Sequence, residues 1–281
     1  MSLFKEKNSA GSELYARIRD HESSLKKLFE EFWQRYEPYS DQGFQERLQN
    51  QFHQRWWEMY LGIGLLNLNL NLNPSRKEKG PDFEIKLSDK TLWIEAVAPN
   101  LGNGDNSLPE MLEGVHNLPE KEFLLRLRTS LDYKLKKIKS YKNEYIPSND
   151  VFIIAISSCA LSGYGALMDF PVPAPLKILA GAKNLVLNEK GNFVNFRPNI
   201  TKNSGSTVDT NLFKNQSFKE ISAVLYSNCR ILKSHSKPEE SFQLFLNPNF
   251  ENDYFFEPFE GIDIWYHYTD NGESIWKKKS A

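Results

Sequence analysis

The spacing of hydrophobic residues predicts two helices and a strand in the first quarter of the chain. Over residues 11–37, large apolar side chains recur at helical spacing with charged residues between them. A second such pattern runs over residues 44–61, and Gly62 and Gly64 are expected to end that helix. Residues 66–73 then alternate leucine and asparagine without interruption, which predicts a half-buried strand with its leucines towards the core.

Residues 80–99 are predicted to form a β-hairpin, because two alternating apolar and polar segments flank a turn at residues 88–90. Folding this hairpin about the turn is expected to place Glu95 opposite Phe83 and diagonal to Asp82, so that two carboxylates converge at its open end. Like charges at that distance repel unless a proton or a cation lies between them. A hard divalent cation with oxygen ligands, such as Mg²⁺, would remove the conflict.

The middle of the chain continues with a long helix and a buried strand. Residues 119–145 combine a leucine-rich face with a strongly basic one, and residues 151–156 are uniformly apolar, as in a central strand that is covered on both faces. Further strands are predicted at 221–226, 242–246 and 262–268, and a hairpin at 185–196. These later strands are expected either to extend the core sheet or to build a β-rich cap.

The composition places few limits on function. A chain of 281 residues with 40% hydrophobic residues can bury a sizeable core, and its net charge of −1 gives no overall attraction to nucleic acid or to a membrane. Two cysteines and the lack of an apolar N-terminal run favour a reducing, cytoplasmic location. None of the five histidines has metal-ligand spacing.

The hairpin resembles the PD-(D/E)XK nuclease superfamily in two short motifs. Pro81-Asp82 corresponds to the Pro-Asp that opens one strand, and Glu95-Ala96-Val97 corresponds to the Glu-x-Lys of the next strand. The chain departs from the family at Val97, where the lysine usually stands. The resemblance covers about 20 residues directly and extends by the order of elements over residues 45–160.

The resemblance implies an α/β fold, a mixed central sheet flanked by helices in a restriction-endonuclease-like core, with a β-rich C-terminal extension. We expect a single domain over 1–281, with an N-terminal helical segment at 1–43, the nuclease-like core at 44–158 and the extension at 159–281. It also implies a metal-dependent nuclease, an endonuclease or exonuclease that hydrolyses phosphodiester bonds. The expected partner is nucleic acid, DNA ahead of RNA, and a homodimer is compatible with cleavage of both strands.

The resemblance further implies a set of site residues. Asp82, Glu95 and the backbone carbonyl of Ala96 would hold Mg²⁺ or Mn²⁺, with Glu58 from the preceding helix as a further ligand and Glu46 as a weaker candidate. Because Val97 cannot supply the catalytic ammonium, we expect it from elsewhere, with Lys134 preferred over Lys137 and Lys86. The residues expected to contact nucleic acid are Arg76, Lys77, Lys79, Arg128 and Lys137.

Two other interpretations stay open. In one, the fold is nuclease-like but the chemistry has been lost, and the protein is a binding or interaction module; the valine at position 97 and the neutral net charge favour this. In the other, the two motifs are coincidental in an ordinary α/β protein, and Asp82 and Glu95 point apart or pair with separate structural partners. A lysine amine close to both carboxylates would favour the nuclease.

Overall fold

The structure is a computed structural model that describes residues 2–5, 11–74, 80–111, 117–144, 146–147, 150–161, 163–188, 191–250, 257–270 and 273–280. Its helices are α1 Glu13–His21, α2 Ser23–Tyr36, α3 Phe44–Asn50, α4 Phe52–Asn67, α5 Glu120–Glu144, α6 Gly165–Met168 and α7 Ala174–Leu179. Its strands are β1 Phe83–Lys86, β2 Thr91–Val97, β3 Val151–Ser157, β4 Ala182–Asn188, β5 Gly191–Phe196, β6 Asn199–Thr201, β7 Thr207–Asp209, β8 Ala223–Ser227, β9 Phe242–Leu246, β10 Asp263–Asp270 and β11 Glu273–Lys279. Within these ranges, no helix combines the length and apolar character that a membrane crossing requires.

A seven-stranded mixed sheet with the order β1-β2-β3-β8-β9-β10-β11 organises the fold. Strands β2, β3 and β8 are parallel neighbours, whereas β1 runs antiparallel to β2 and β9 runs antiparallel to β8. Strand β10 is parallel to β9. The N-terminal helices cover one face and α5 with α7 cover the other. Strand β3 lies between both layers: Ile153 packs on one side and Ile154 on the other, which explains its continuous apolar sequence. The α/β class and the helix-flanked mixed sheet agree with the prediction.

Each of the two N-terminal helices that the sequence predicts is divided into two. The predicted helix at 11–37 is interrupted at Glu22, where the backbone leaves the helical region, and the predicted helix at 44–61 is interrupted at Gln51. A straight helix of 27 residues would be about 40 Å long. The breaks allow both halves to pack on one core, as the burial of Ile18 in α1 and Phe29 in α2 shows.

The predicted helix end at Gly62 and Gly64 is wrong, because α4 continues to Asn67. The two glycines serve close packing instead of terminating the helix. A Cβ atom on Gly62 would lie 2.5 Å from a ring carbon of Tyr36, and one on Gly64 would overlap the ring of Phe242. Glycine is therefore required at these positions by the neighbouring helix and strand.

The predicted strand at 66–73 is also wrong. Helix α4 ends in a Schellman motif, in which the Leu70 N–H donates to the Leu65 carbonyl at 3.1 Å and the Asn69 N–H donates to the Leu66 carbonyl at 3.0 Å. Asn69 adopts the left-handed conformation that this motif needs, with φ of 60°. Of the predicted strand only Leu72 takes part in β-pairing, through an isolated bridge to Ile85.

The later strands extend the core sheet, which is the first of the two predicted alternatives. Strand β8 pairs directly with β3, and β9 to β11 follow it outward, so the sheet does not stop at the predicted boundary of 158. The predicted hairpin at 185–196 is present as β4 and β5 and forms a separate two-stranded sheet. Helix α5 and strand β3 agree with the predicted 119–145 and 151–156.

Candidate active site

The hairpin of β1 and β2 is confirmed, but its register differs from the prediction by one residue. Phe83 lies opposite Ile94, not opposite Glu95. Asp82, directly before β1, therefore falls level with Glu95 instead of diagonal to it. Because side chains alternate along a strand, Asp82 and Glu95 then belong to the same face of the sheet. The backbone N–H of Ala96 donates to Asp82 Oδ2 at 2.7 Å, which fixes this carboxylate beside the end of β2.

Glu95 is buried under α5 and is paired with two lysines of that helix. The carboxylate is 1% exposed, between Trp93 and Val97, which pack against the leucine face of α5. Its Oε1 atom accepts from Lys134 Nζ at 2.6 Å and from Lys137 Nζ at 3.1 Å. Its Oε2 atom is buried and has no hydrogen-bond partner among the residues that the structure describes. One oxygen of Glu95 is thus neutralised, and the other is unpartnered.

The two lysines differ in their access to solvent. The Lys134 side chain is 8% exposed, whereas that of Lys137 is 39% exposed. Partial burial opposes the charged form of Lys137, but the negative charges of Glu95 and Asp82 outweigh it and hold the pKa of Lys137 above its ordinary value. Lys137 therefore remains an ammonium at the rim of the site.

Asp82 combines burial with a neighbouring negative charge. Burial and, after it, the charge of Glu95 raise the pKa of Asp82 to about 6, while Lys134 and the Ala96 N–H act in the opposite direction. At neutral pH, Asp82 is ionised for most of the time and close to its titration range. Asp82 therefore takes up a proton more readily than an ordinary aspartate does.

Glu58 lies close enough to Asp82 to feel its charge and is only 4% exposed. Its oxygens accept from the Tyr36 hydroxyl at 3.1 Å and from Arg55 Nη1 at 2.6 Å. Burial and, next, the charge of Asp82 raise the pKa of Glu58 to about 8, and Arg55 acts against this rise. Glu58 is held by these partners, and its role as a metal ligand stays a prediction.

Gln54 is a site residue that sequence reasoning missed. Its side-chain amide donates to the Ala96 carbonyl at 3.2 Å and accepts from the Ala98 N–H at 2.9 Å. The side chain thereby pairs with the end of β2 as a neighbouring strand would, beyond the first residue of the antiparallel strand β1. In the sequence, Gln54 could have been recognised by its position one helical turn before Glu58 on the same helix.

The remaining predicted site residues either contact other parts of the protein or lie outside the described residues. Lys86 pairs with Glu84 at 3.1 Å, towards the turn of the hairpin. Glu46 lies on α3 and pairs with Lys5 at 2.7 Å. Arg128 bonds to the carbonyl of Asp209 and pairs with Asp132, so its contacts are with the protein itself. Arg76, Lys77 and Lys79 lie outside the described residues.

The donor atoms around Asp82 and Glu95 decide whether a divalent cation fits here. In the described part of the chain, no group of three or more His, Cys, Asp and Glu side chains could hold a metal ion. The candidate donors are two carboxylates, from Asp82 and Glu95, and the carbonyl of Ala96. These are all oxygen atoms, the donors that Mg²⁺ prefers, and the unpartnered Oε2 of Glu95 lacks only an electropositive neighbour. The donor set fits a hard cation that keeps several of its waters.

No protein-family model matches this chain, and comparison with curated proteins and with solved structures gave no significant match.

Proposed function

We propose that this protein is a metal-dependent phosphodiesterase that hydrolyses nucleic acid and is built on a restriction-endonuclease-like core. The observation that supports it best is the cluster of the half-buried Asp82 with the buried Glu95 and Lys134. It presents an unpartnered carboxylate oxygen beside an ammonium, and the pKa of its second carboxyl group is raised to about 6. Ionisable groups whose pKa is shifted by burial and by a neighbouring charge are concentrated at functional sites.

Asp82, Glu95 and the Ala96 carbonyl would hold Mg²⁺ or Mn²⁺. When bound, such a cation would lower the pKa of a coordinated water and neutralise charge on the phosphate. Glu95 would use Oε2 for this purpose, since Oε1 is occupied by the lysines. Gln54 keeps the Ala96 carbonyl in place through its paired hydrogen bonds to the end of β2.

Lys134 takes the part of the lysine that Val97 cannot supply. Its ammonium lies 2.6 Å from Glu95 Oε1, although it comes from α5 and not from β2. An ammonium at this point favours the charge that develops on a phosphoryl group. Lys137, which is more exposed, would contact the phosphate as it enters. DNA is the first substrate to test and RNA the second.

A second candidate is a nuclease-like binding module without catalysis. The arrangement that favours it is the double ion pair on Glu95, in which Lys134 and Lys137 neutralise the carboxylate without any metal. In this case Lys134 would have a structural role, and the protein would bind its partner with no need for a divalent cation.

The two candidates are separated by cleavage and metal-binding assays on matched variants. End-labelled DNA and RNA, single-stranded and duplex, are incubated with Mg²⁺ or Mn²⁺, and Mn²⁺ binding is followed by electron paramagnetic resonance. Asp82→Asn should lower the rate by about 100-fold or more, because it removes an essential charge from the site. Asp89→Asn is the control, since Asp89 is exposed at the turn of the same hairpin and should retain full activity.

The outcomes are distinct. Cleavage that requires a divalent cation and is lost in Asp82→Asn supports the phosphodiesterase. Binding of nucleic acid without cleavage and without bound Mn²⁺ favours the inactive module. Cleavage that is equal in wild type and Asp82→Asn would show that the activity does not come from this site.

A further inference from the structure

The mouth of the candidate site carries an exposed aromatic ring. Tyr133 on α5 is 58% exposed, whereas the next residue, Lys134, is 7% exposed and points into the site. Large aromatic side chains are more often buried, because they contribute strongly to core packing. No hydrogen bond of the Tyr133 hydroxyl is found to any residue that the structure describes. This ring is therefore free to contact a ligand.

Lys137 connects this ring to the carboxylates. Its Nζ atom lies 5.9 Å from the centroid of the Tyr133 ring and 3.1 Å from Glu95 Oε1. The ring and the carboxylate are accordingly separated by no more than about 9 Å, the two distances laid end to end. A single nucleotide whose phosphate is bound by Lys137, beside Glu95, can reach Tyr133 with its base.

The same side of α5 also borders the loop that follows β2. Arg126 lies about two turns before Tyr133 and donates to the carbonyl and the side-chain oxygen of Asn100, both at 2.8 Å. Gly102, with φ of 81°, packs against the Arg126 guanidinium, where a Cβ atom would lie 2.5 Å from Nη1. These contacts hold the loop after β2 against α5, the helix that carries Tyr133 beside the site.

We propose that Tyr133 is a stacking platform for an unpaired nucleobase next to the phosphate that the site binds, so that the substrate is single-stranded or locally unpaired nucleic acid. The proposal rests on the proposed function and specifies its substrate class. A ring beside a cation suits a nucleotide, because the base stacks on the ring and the ammonium contacts the phosphate. In an intact duplex both faces of each internal base are already stacked, so the platform has no partner along the duplex.

Fluorescence anisotropy tests this with a labelled single-stranded oligonucleotide and its blunt duplex, in EDTA so that metal-dependent cleavage cannot occur. Tyr133→Ala should weaken binding of the single strand by about 5-fold to 150-fold, the range that base–aromatic stacking contributes. Tyr133→Phe should bind within about 2-fold of wild type, because the ring is kept. Tyr268→Ala is the matched control: Tyr268 is 39% exposed on β10, far across the sheet, and its loss should have no effect.

Two further readouts identify stacking. A single abasic residue, moved along the oligonucleotide, should weaken wild-type binding at one position. At that position the abasic residue should not weaken the binding of Tyr133→Ala any further. The salt dependence of binding should be unchanged in Tyr133→Ala and shallower in Lys137→Ala, since only the lysine contacts phosphate.

Equal affinity of Tyr133→Ala and wild type for the single strand would overturn the proposal, as would an equal loss for single strand and duplex. If wild type cleaves DNA but Tyr133→Ala behaves normally, the phosphodiesterase stands and the platform fails. If no cleavage occurs but single strands bind through Tyr133, the platform stands without the phosphodiesterase. If no nucleic acid binds at all, both the phosphodiesterase and the platform are refuted.

Discussion

Replacement of Lys134 by methionine removes a charge from the centre of the site and keeps most of the volume of the side chain. Lys134 Nζ lies 2.6 Å from Glu95 Oε1, so the gross attraction is about 6 kcal/mol at an effective dielectric constant near 20. Loss of one partner from a buried ion pair destabilises proteins by about 3–5 kcal/mol. Because Lys137 still contacts the same oxygen at 3.1 Å, we expect the lower end, about 3 kcal/mol.

The free energy of unfolding can be measured by urea titration, with the fluorescence of the six tryptophans as the signal. Lys136→Met is the matched control, because Lys136 is an exposed residue of the same helix and its replacement should change stability by less than about 0.5 kcal/mol. The double variant Glu95→Gln/Lys134→Met should recover at least about 2 kcal/mol relative to the sum of the single variants, since no buried charge is then left unpaired.

Equal midpoints for Lys134→Met and Lys136→Met would refute this reasoning. Such a result would mean that Lys137 alone satisfies Glu95, or that water reaches the carboxylate. A double variant whose loss is the plain sum of the single losses would equally show that Lys134 and Glu95 are not coupled in solution.

Three other variants or conditions address the rest of the site and its support. Mn²⁺ should bind about 10-fold more weakly at pH 5 than at pH 7, because protons compete for Asp82, whose pKa is raised to about 6; calorimetry that shows no such dependence would exclude Asp82 as a ligand. Gln54→Leu should cost about 1–3 kcal/mol in urea unfolding, because it leaves the Ala96 carbonyl at the buried end of β2 without its amide partner, and an unchanged midpoint would count against that bond. Gly64→Ala should destabilise by about 1–3 kcal/mol through overlap with the Phe242 ring, whereas a helix-propensity gain of the usual size would show that the ring can move aside.

The hairpin and α5 could be predicted because their signals are local. Alternation around residues 88–90 is enough to indicate two strands and a turn, and the leucine spacing of α5 is enough to indicate a helix. The register was wrong by one residue because a turn of two residues and one of three leave nearly the same sequence pattern. That single step decides whether Asp82 is level with Glu95, and only the paired backbone fixes it.

The leucine–asparagine stretch after Gly64 shows the limit of periodicity. Perfect alternation predicts a strand, yet helix α4 continues through both glycines, against which Tyr36 and Phe242 pack too closely for a side chain. Those partners come from elsewhere in the sequence, so no local pattern can reveal them. The same applies to Gln54, whose bonds to the end of β2 join residues more than forty positions apart.

The sequence by itself determined the α/β class, the central apolar strand β3 and the two short motifs that contain Asp82 and Glu95, since each depends on residues that are close together in the chain. Only the tertiary structure decided the environment of those carboxylates. It brought Lys134 and Lys137 to one oxygen of Glu95 and left the other without a described partner. The physical reason is that ion pairing and burial depend on distances across α5 and the sheet, which spacing along the chain does not specify.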